Sequence, residues 1–388
     1  MSESGPSSLP TPSPQKSAVL LHSECLQKQL DLVGLLNLTA AAHSLPAEVR
    51  ATRPVAITIM LGPSSYRPEQ AHWAYVADFV STPLPNSSTL PGFDVFVILS
   101  GADTIAEFDS FATKRAADLG RPAPRYKALN FSVWMSDADA NKLGKPGGMG
   151  GIIGAKVYFA LAVLHSCYEF ILRLDAEVAF LRPDLVESHV RSFVSTGLIF
   201  ANSGERSSNR HVLIEADYYL VGADQERWRN MSEDHSLFFW FNALPIYVAS
   251  DVPSFLRLVR ADEAPPFFPA SAQYINWEYN VYYAFKVLRG DWHFFDMNRE
   301  LQLKPFRLEG LYDFDTFRRI SLAHPPGPLW ARRVPCGSNS CACNSLPDSV
   351  APLMLFHLNY DVTEPLRDCP EATMKRDWSW SPRLLVNK

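Results

Sequence analysis

No apolar run in this 388-residue chain reaches the twenty or so residues a helix needs to cross a bilayer, because polar and charged side chains interrupt each one first. The sequence therefore predicts no membrane span, and its N-terminal residues carry no signal-peptide pattern. It also lacks any block of like charge. With 36 Lys and Arg against 41 Asp and Glu, a formal net charge of −5, it has no basic footprint for nucleic acid or for an anionic membrane surface. Its glycines match neither the dinucleotide-binding pattern nor the Walker pattern. Cysteine is scarce at six residues, and four of them, Cys336, Cys341, Cys343 and Cys369, gather around the loop PCGSNSCACNSLPD.

What the chain has is enough apolar content for a core. At 47% hydrophobic and 20% charged residues it can bury one large α/β domain or two smaller lobes. The opening residues, MSESGPSSLPTPSP, are too rich in Ser and Pro to pack, and disorder is expected there. An amphipathic stretch from Ala18 to Ala42 predicts a helix lying on the folded domain. The expected division is a segment over 1–45, a first half over 46–190 and a second half over 191–388.

In the first half, strand and helix patterns alternate. VAITIML over Val55 to Leu61 predicts a buried strand, Glu69 to Val80 a helix, Phe93 to Leu99 a second strand, Asp103 to Leu119 a second helix, and Tyr126 to Ser132 a third strand. That βαβαβ order predicts an α/β fold with a Rossmann-like nucleotide-binding sheet. Ligands in such sheets bind beyond the carboxyl ends of the strands, which brings Gly62, Ser64 and the turn ending at Asp103 toward a nucleotide. Ordinary turn chemistry explains those loops equally well.

The densest chemical signal follows. A glycine-rich segment, Gly144 to Gly154, runs into a helix pattern from Ala155 to His165 that carries Lys156 in its first turn. Then comes YEFILRLDAEVAFLRP, an apolar strand that ends in Asp175 and Glu177. Side chains two apart in an extended segment face the same side, so the two carboxylates can share a hard cation such as Mn²⁺ or Mg²⁺ together with diphosphate oxygens. The glycines and Lys156 could approach the phosphates. The bland alternatives are a flexible loop and a solvated acidic turn.

The helix bearing Lys156, the short turn and FILRLDAEVAFLRP together resemble the centre of a GT-A glycosyltransferase. The likeness spans roughly residues 54 to 362 and is most specific between 147 and 183. It implies a GT-A type sheet with a smaller acceptor-side region, binding a nucleotide-diphosphate sugar through Mn²⁺ or Mg²⁺ and passing the sugar to a hydroxyl acceptor on a glycan, protein or lipid. By the resemblance, Asp175 and Glu177 are the donor and metal contacts, Arg182 belongs to the Arg-Pro pair that closes the strand, and His357 in the apolar segment PLMLFHLNY completes the metal shell. A histidine hydrogen-bonded in the core is the competing reading of His357. Arg173 departs from the pattern: a charge inside a buried strand needs a partner, either Glu169 or the diphosphate. Segments from Phe238 to Leu256 and from Gln273 to Phe285 resemble the acceptor-side strand and helices. Among their aromatics, Glu278 and the nearby Asp234 are the candidate bases on an acceptor hydroxyl. Two other functions remain open, a sugar-phosphate nucleotidyltransferase and a catalytically silent relative that binds a nucleotide sugar or glycan.

Signals of compartment conflict. Asn37, Asn86, Asn130 and Asn230 each begin a glycosylation sequon, where about two are expected by chance. The C-terminal cysteine cluster suits disulfides in an oxidising lumen, with a structural zinc or free thiols as alternatives. Taken as complete, the chain is expected in the cytosol; taken as a portion of a longer one, it is compatible with a Golgi anchor lying outside it.

Overall fold

The computed structural model describes residues 25–31, 54–62, 67–81, 93–142, 150–174, 176, 178–180, 186–203, 222–234, 237–238, 245–259, 278–296, 330–332 and 355–357. Residues 25–31 form a short helix, α1, inside the stretch where the amphipathic pattern predicts one. Then follow β1 (Val55–Met60), α2 (Arg67–Val80), β2 (Phe93–Leu99), α3 (Ala102–Asp118) and β3 (Lys127–Asn130). All five expected elements are therefore present within a few residues of their predicted bounds. The third strand is shorter than its apolar pattern, because Asn130 turns the chain: its side chain accepts from the Ser132 amide and caps a 3₁₀ turn over Phe131–Val133.

After α4 (Asp137–Lys142) comes α5 (Gly150–Leu164), which starts five residues earlier than its Ala-rich pattern indicates. Three glycines, Gly150, Gly151 and Gly154, lie inside it, each unfavourable by about 1 kcal/mol relative to Ala. Burial outweighs that cost. Every residue from Val157 to Leu164 is buried, and a helix apolar on all sides must be enclosed by other elements.

The chain continues through β4 (Phe170–Leu174), β5 (Val178–Phe180), α6 (Val186–Thr196), β6 (Leu198–Ser203), α7 (Ala223–Asp234), β7 (Leu237–Phe238) and β8 (Ile246–Val248). It then runs through α8 (Val252–Leu258), α9 (Glu278–Leu288), β9 (His293–Asp296), β10 (Trp330–Arg332) and β11 (Leu355–His357). Five strands make a mostly parallel central sheet in the order β3-β2-β1-β4-β8, with β8 antiparallel at one edge. Central parallel strands are covered on both faces and so read as unbroken apolar runs. In β1 all residues from Val55 to Ile59 are buried. Two three-stranded sheets, β10-β11-β5 and β7-β6-β9, complete the described strands.

Helices α2 and α3 meet through Trp73, whose ring lies edge-on to Phe108 at 5.1 Å and to Phe111 at 5.8 Å. Helix α5 packs on β1 and β4, and Tyr158 from it meets Phe255 of α8 at 6.2 Å. Because β8 joins the sheet beside β4, the halves expected to divide near residue 190 share one sheet. A disulfide joins Cys25 of α1 to Cys167 in the turn after α5, across 142 residues. Among the described residues no helix is long and apolar enough to cross a membrane.

Candidate functional site

In open parallel sheets ligands characteristically bind where the strand order reverses. From β1 the chain steps outward to β2 and β3, then returns past them to place β4 on the other flank of β1. Loops leaving adjacent strands on opposite sides of such a reversal open a crevice at their carboxyl ends. The reversal here lies between β1 and β4. In their register Ile59 pairs with Leu174, so Leu61 and Gly62 leave the sheet beside the residue that precedes Asp175.

Asp175 and Glu177 lie outside the described residues, but their neighbours on both sides are placed. Leu174 ends β4 and Val178 begins β5. Strand β11 pairs antiparallel with β5, and the partner of Val178 is His357. A histidine 180 residues away in sequence is thereby brought next to the residue that follows Glu177. Among the described residues no cluster of three or more metal-ligating side chains occurs.

Gly62 is buried, and its carbonyl accepts from the Trp73 indole at 3.0 Å, which ties the loop after β1 to α2. Lys156 lies beneath that same loop. It is 1% exposed, its ammonium donates to the Leu61 carbonyl at 2.7 Å, and it stands 5.7 Å from the centre of the Phe131 ring. The lysine expected at the diphosphate is thus buried in α5, with its ammonium bonded to the backbone just after β1. Asp103 is exposed in the first turn of α3, just past the carboxyl end of β2. That turn is held by two contacts with no local sequence signal: the Asn130 side chain accepts from the Gly101 amide at 3.0 Å, and the Ser100 hydroxyl donates to Asp137. Ser64 and Arg182 lie outside the described residues. Asp234 ends α7, with its side chain outside the described set.

The structure corrects the expectations for Arg173 and Glu278 together. Glu169 is engaged elsewhere, held by both terminal nitrogens of Arg191 at 2.8 Å each. Arg173 instead approaches Glu278, Nε to Oε1, at 3.4 Å, with side chains 11% and 0% exposed. Tyr247 of β8 donates its hydroxyl to the same Oε1 at 3.1 Å. A base on a dissolved acceptor must be reachable from the cleft, and the enclosed Glu278 carboxylate is the counter-charge of Arg173. The pairing escapes sequence reasoning because a separation of about a hundred residues gives no periodic signal. Burial, and next the Glu278 charge, push the Tyr247 phenol well above its ordinary range, so it stays a hydrogen-bond donor.

A parallel network lies one to two turns further along α9. Lys286 donates to Asp251 and to Asp291, each at 2.8 Å, while the Tyr282 hydroxyl donates to Asp251 at 3.0 Å and accepts from the Val248 amide at 2.9 Å. Through these contacts α9 is fastened to β8 and to the start of α8, and β8 in turn to β4. Comparison with protein-family models and with curated proteins finds no match.

Proposed function

We propose that the chain is a metal-dependent glycosyltransferase of GT-A type, moving a sugar from a nucleotide-diphosphate donor to a hydroxyl acceptor. The observation that carries the reading is the convergence at the β1/β4 reversal. Asp175 and Glu177 follow β4 in the sequence, Gly62 follows β1, and β11 delivers His357 to the position opposite Val178. A parallel sheet that reverses its order beside an acidic strand end is suited to a nucleotide whose diphosphate is met by a cation.

In this reading Asp175, Glu177 and His357 hold Mn²⁺ or Mg²⁺. The cation supplies charge neutralisation for the departing nucleoside diphosphate. Lys156 and Trp73 keep the loop after β1 in position for the nucleotide, one from each of the helices that flank it. The Arg173–Glu278 pair keeps an otherwise costly charge satisfied one residue before the end of β4. Mn²⁺ binding and donor binding are then linked.

A thermal-shift panel tests it. Nucleotide sugars added with Mn²⁺ should raise the melting temperature for at least one donor, since a ligand at a hundred times its Kd stabilises by about 2.7 kcal/mol. Asp175→Asn and Glu177→Gln should each abolish that shift while leaving the ligand-free melting temperature near wild type. If every donor fails with and without Mn²⁺, or if the variants unfold instead, the reading is wrong.

A further inference from the structure

Two features outside the crevice, the buried disulfide and one exposed asparagine, belong together chemically. Cys25 is 4% and Cys167 0% exposed, so the bond between them is buried. From α1, one turn after Cys25, the Gln29 side-chain amide donates to the Ser166 hydroxyl at 2.7 Å, within the buried interior. Leu26, buried on the same helix, extends the contact. Such a bond forms and persists where the surroundings are oxidising, and cytosolic thiol buffers hold cysteines reduced. That sets a compartment. In an oxidising secretory lumen a sequon becomes a substrate, so the sequons acquire meaning from the disulfide.

Of the four, Asn130 and Asn230 lie among the described residues, and their settings differ. The Asn130 side-chain oxygen accepts from both the Gly101 and the Ser132 amides, and the middle residue of its sequon, Phe131, is fully buried against Trp134 and Phe159. Asn130 is part of the turn that shapes the site. Asn230 is exposed on α7, two residues past Trp228, the residue that anchors this helix in the interior. Its outward position leaves room for a glycan with no change to the core.

We propose that this protein matures in an oxidising secretory lumen, closed by the Cys25–Cys167 disulfide, and that Asn230 is an N-glycosylation site. In the first step the two thiols release two protons and two electrons, which reduce the active-site disulfide of a protein thiol–disulfide oxidoreductase to its dithiol. In the second, the Asn230 side-chain nitrogen forms a bond to the anomeric carbon of a lipid-diphosphate-linked oligosaccharide. The carbon–oxygen bond to the diphosphate breaks, the lipid diphosphate departs, and the amide proton passes to a base of the transferring enzyme. The inference rests on the disulfide and the exposed Asn230, and does not depend on the transferase reading.

The experiment takes the full chain from the cells that naturally make it, with thiol exchange stopped by acid at lysis and free thiols then alkylated by iodoacetamide in denaturant at mildly alkaline pH. Peptide mapping without reductant should yield the Cys25 and Cys167 peptides as one cross-linked species. Treatment with peptide N-glycosidase in ¹⁸O water should convert Asn230 to ¹⁸O-labelled Asp. Recovery of Cys25 and Cys167 as alkylated free thiols would overturn the compartment, and recovery of the Asn230 peptide wholly unmodified would overturn the glycan site. A donor-binding protein with free thiols would sink this inference and leave the transferase reading standing, so the two fail separately.

Discussion

Arg173 Nε lies 3.4 Å from Glu278 Oε1 inside the fold, and this contact joins the strand that precedes Asp175 to the aromatic helix of the second half. Neither partner is readable as an ion pair from its own neighbourhood. Removing one member strands the other charge in a low-dielectric setting, a loss of about 3–5 kcal/mol for a buried pair. Arg173→Met and Glu278→Leu should each fall in that range in urea unfolding, and the double variant should cost clearly less than their sum. Additive losses would mean that the two side chains do not interact.

The Cys25–Cys167 bond closes a long stretch of chain, and deleting it should destabilise by about 2–4 kcal/mol, mainly by releasing the unfolded state. Cys25→Ser and Cys167→Ser should lower the denaturation midpoint equally, and reductant should have no further effect on either. A larger loss in one variant than in the other would show that packing of the lone thiol dominates over the cross-link.

Gly197 connects α6 to β6 with φ +63°, and a Cβ there would stand 2.9 Å from the Asp291 carbonyl oxygen and 3.3 Å from Trp292 Cδ1. Gly120, at φ +62°, has open space around the same atom. Alanine costs about 1–2 kcal/mol at either position from the left-handed backbone alone. Gly197→Ala should lose about 1–3 kcal/mol more than Gly120→Ala, because its backbone neighbours cannot swing aside. Equal melting temperatures for the two variants would refute the close approach.

Three tyrosines set an alkaline limit on the fold. Burial is the largest cause of the raised pKa of Tyr247, Tyr282 and Tyr283, with Glu278 adding to the effect on Tyr247 and Asp251 to that on Tyr282. A phenol whose folded pKa exceeds the unfolded value of about 10 contributes stability that is complete below that pH and is lost as pH rises toward the folded value. Phenolate absorbance should therefore appear in two phases, an early one from exposed tyrosines and a late one coincident with loss of helical circular dichroism. A single smooth titration that leaves the fold intact would contradict the burial of these rings.

The first three strands and both helices between them were legible because each carries its own period: VAITIM and FDVFVIL as unbroken apolar runs, and α2 and α3 as amphipathic repeats. The strand leading to Asp175 was legible for the same reason. What could not be read is everything that depends on closure of the fold. The Trp73 bond to Gly62, the Lys156 brace under Leu61, the Arg173 partner and the Cys25 partner each link residues that only the sheet order brings together. Helix α5 shows the other kind of miss. Local propensity places its start after the glycines, but enclosure by the sheet and α8 extends it back into them. The histidine at position 357 was reached by resemblance alone, and the pairing of β11 with β5 sets its backbone opposite Val178.

The sheet order also dictates a timetable. Strand β1 finds its first neighbour, β2, early, but its second, β4, lies on the order of a hundred residues downstream, on the order of ten seconds of ribosomal elongation. Throughout that interval the nascent β1 has one naked edge of unpaired amides and carbonyls, the kind of surface on which chains aggregate. Pauses between the codons for Leu99 and Phe170, or loss of a chaperone that shields that edge, should therefore harm yield more than equal delays later in the message.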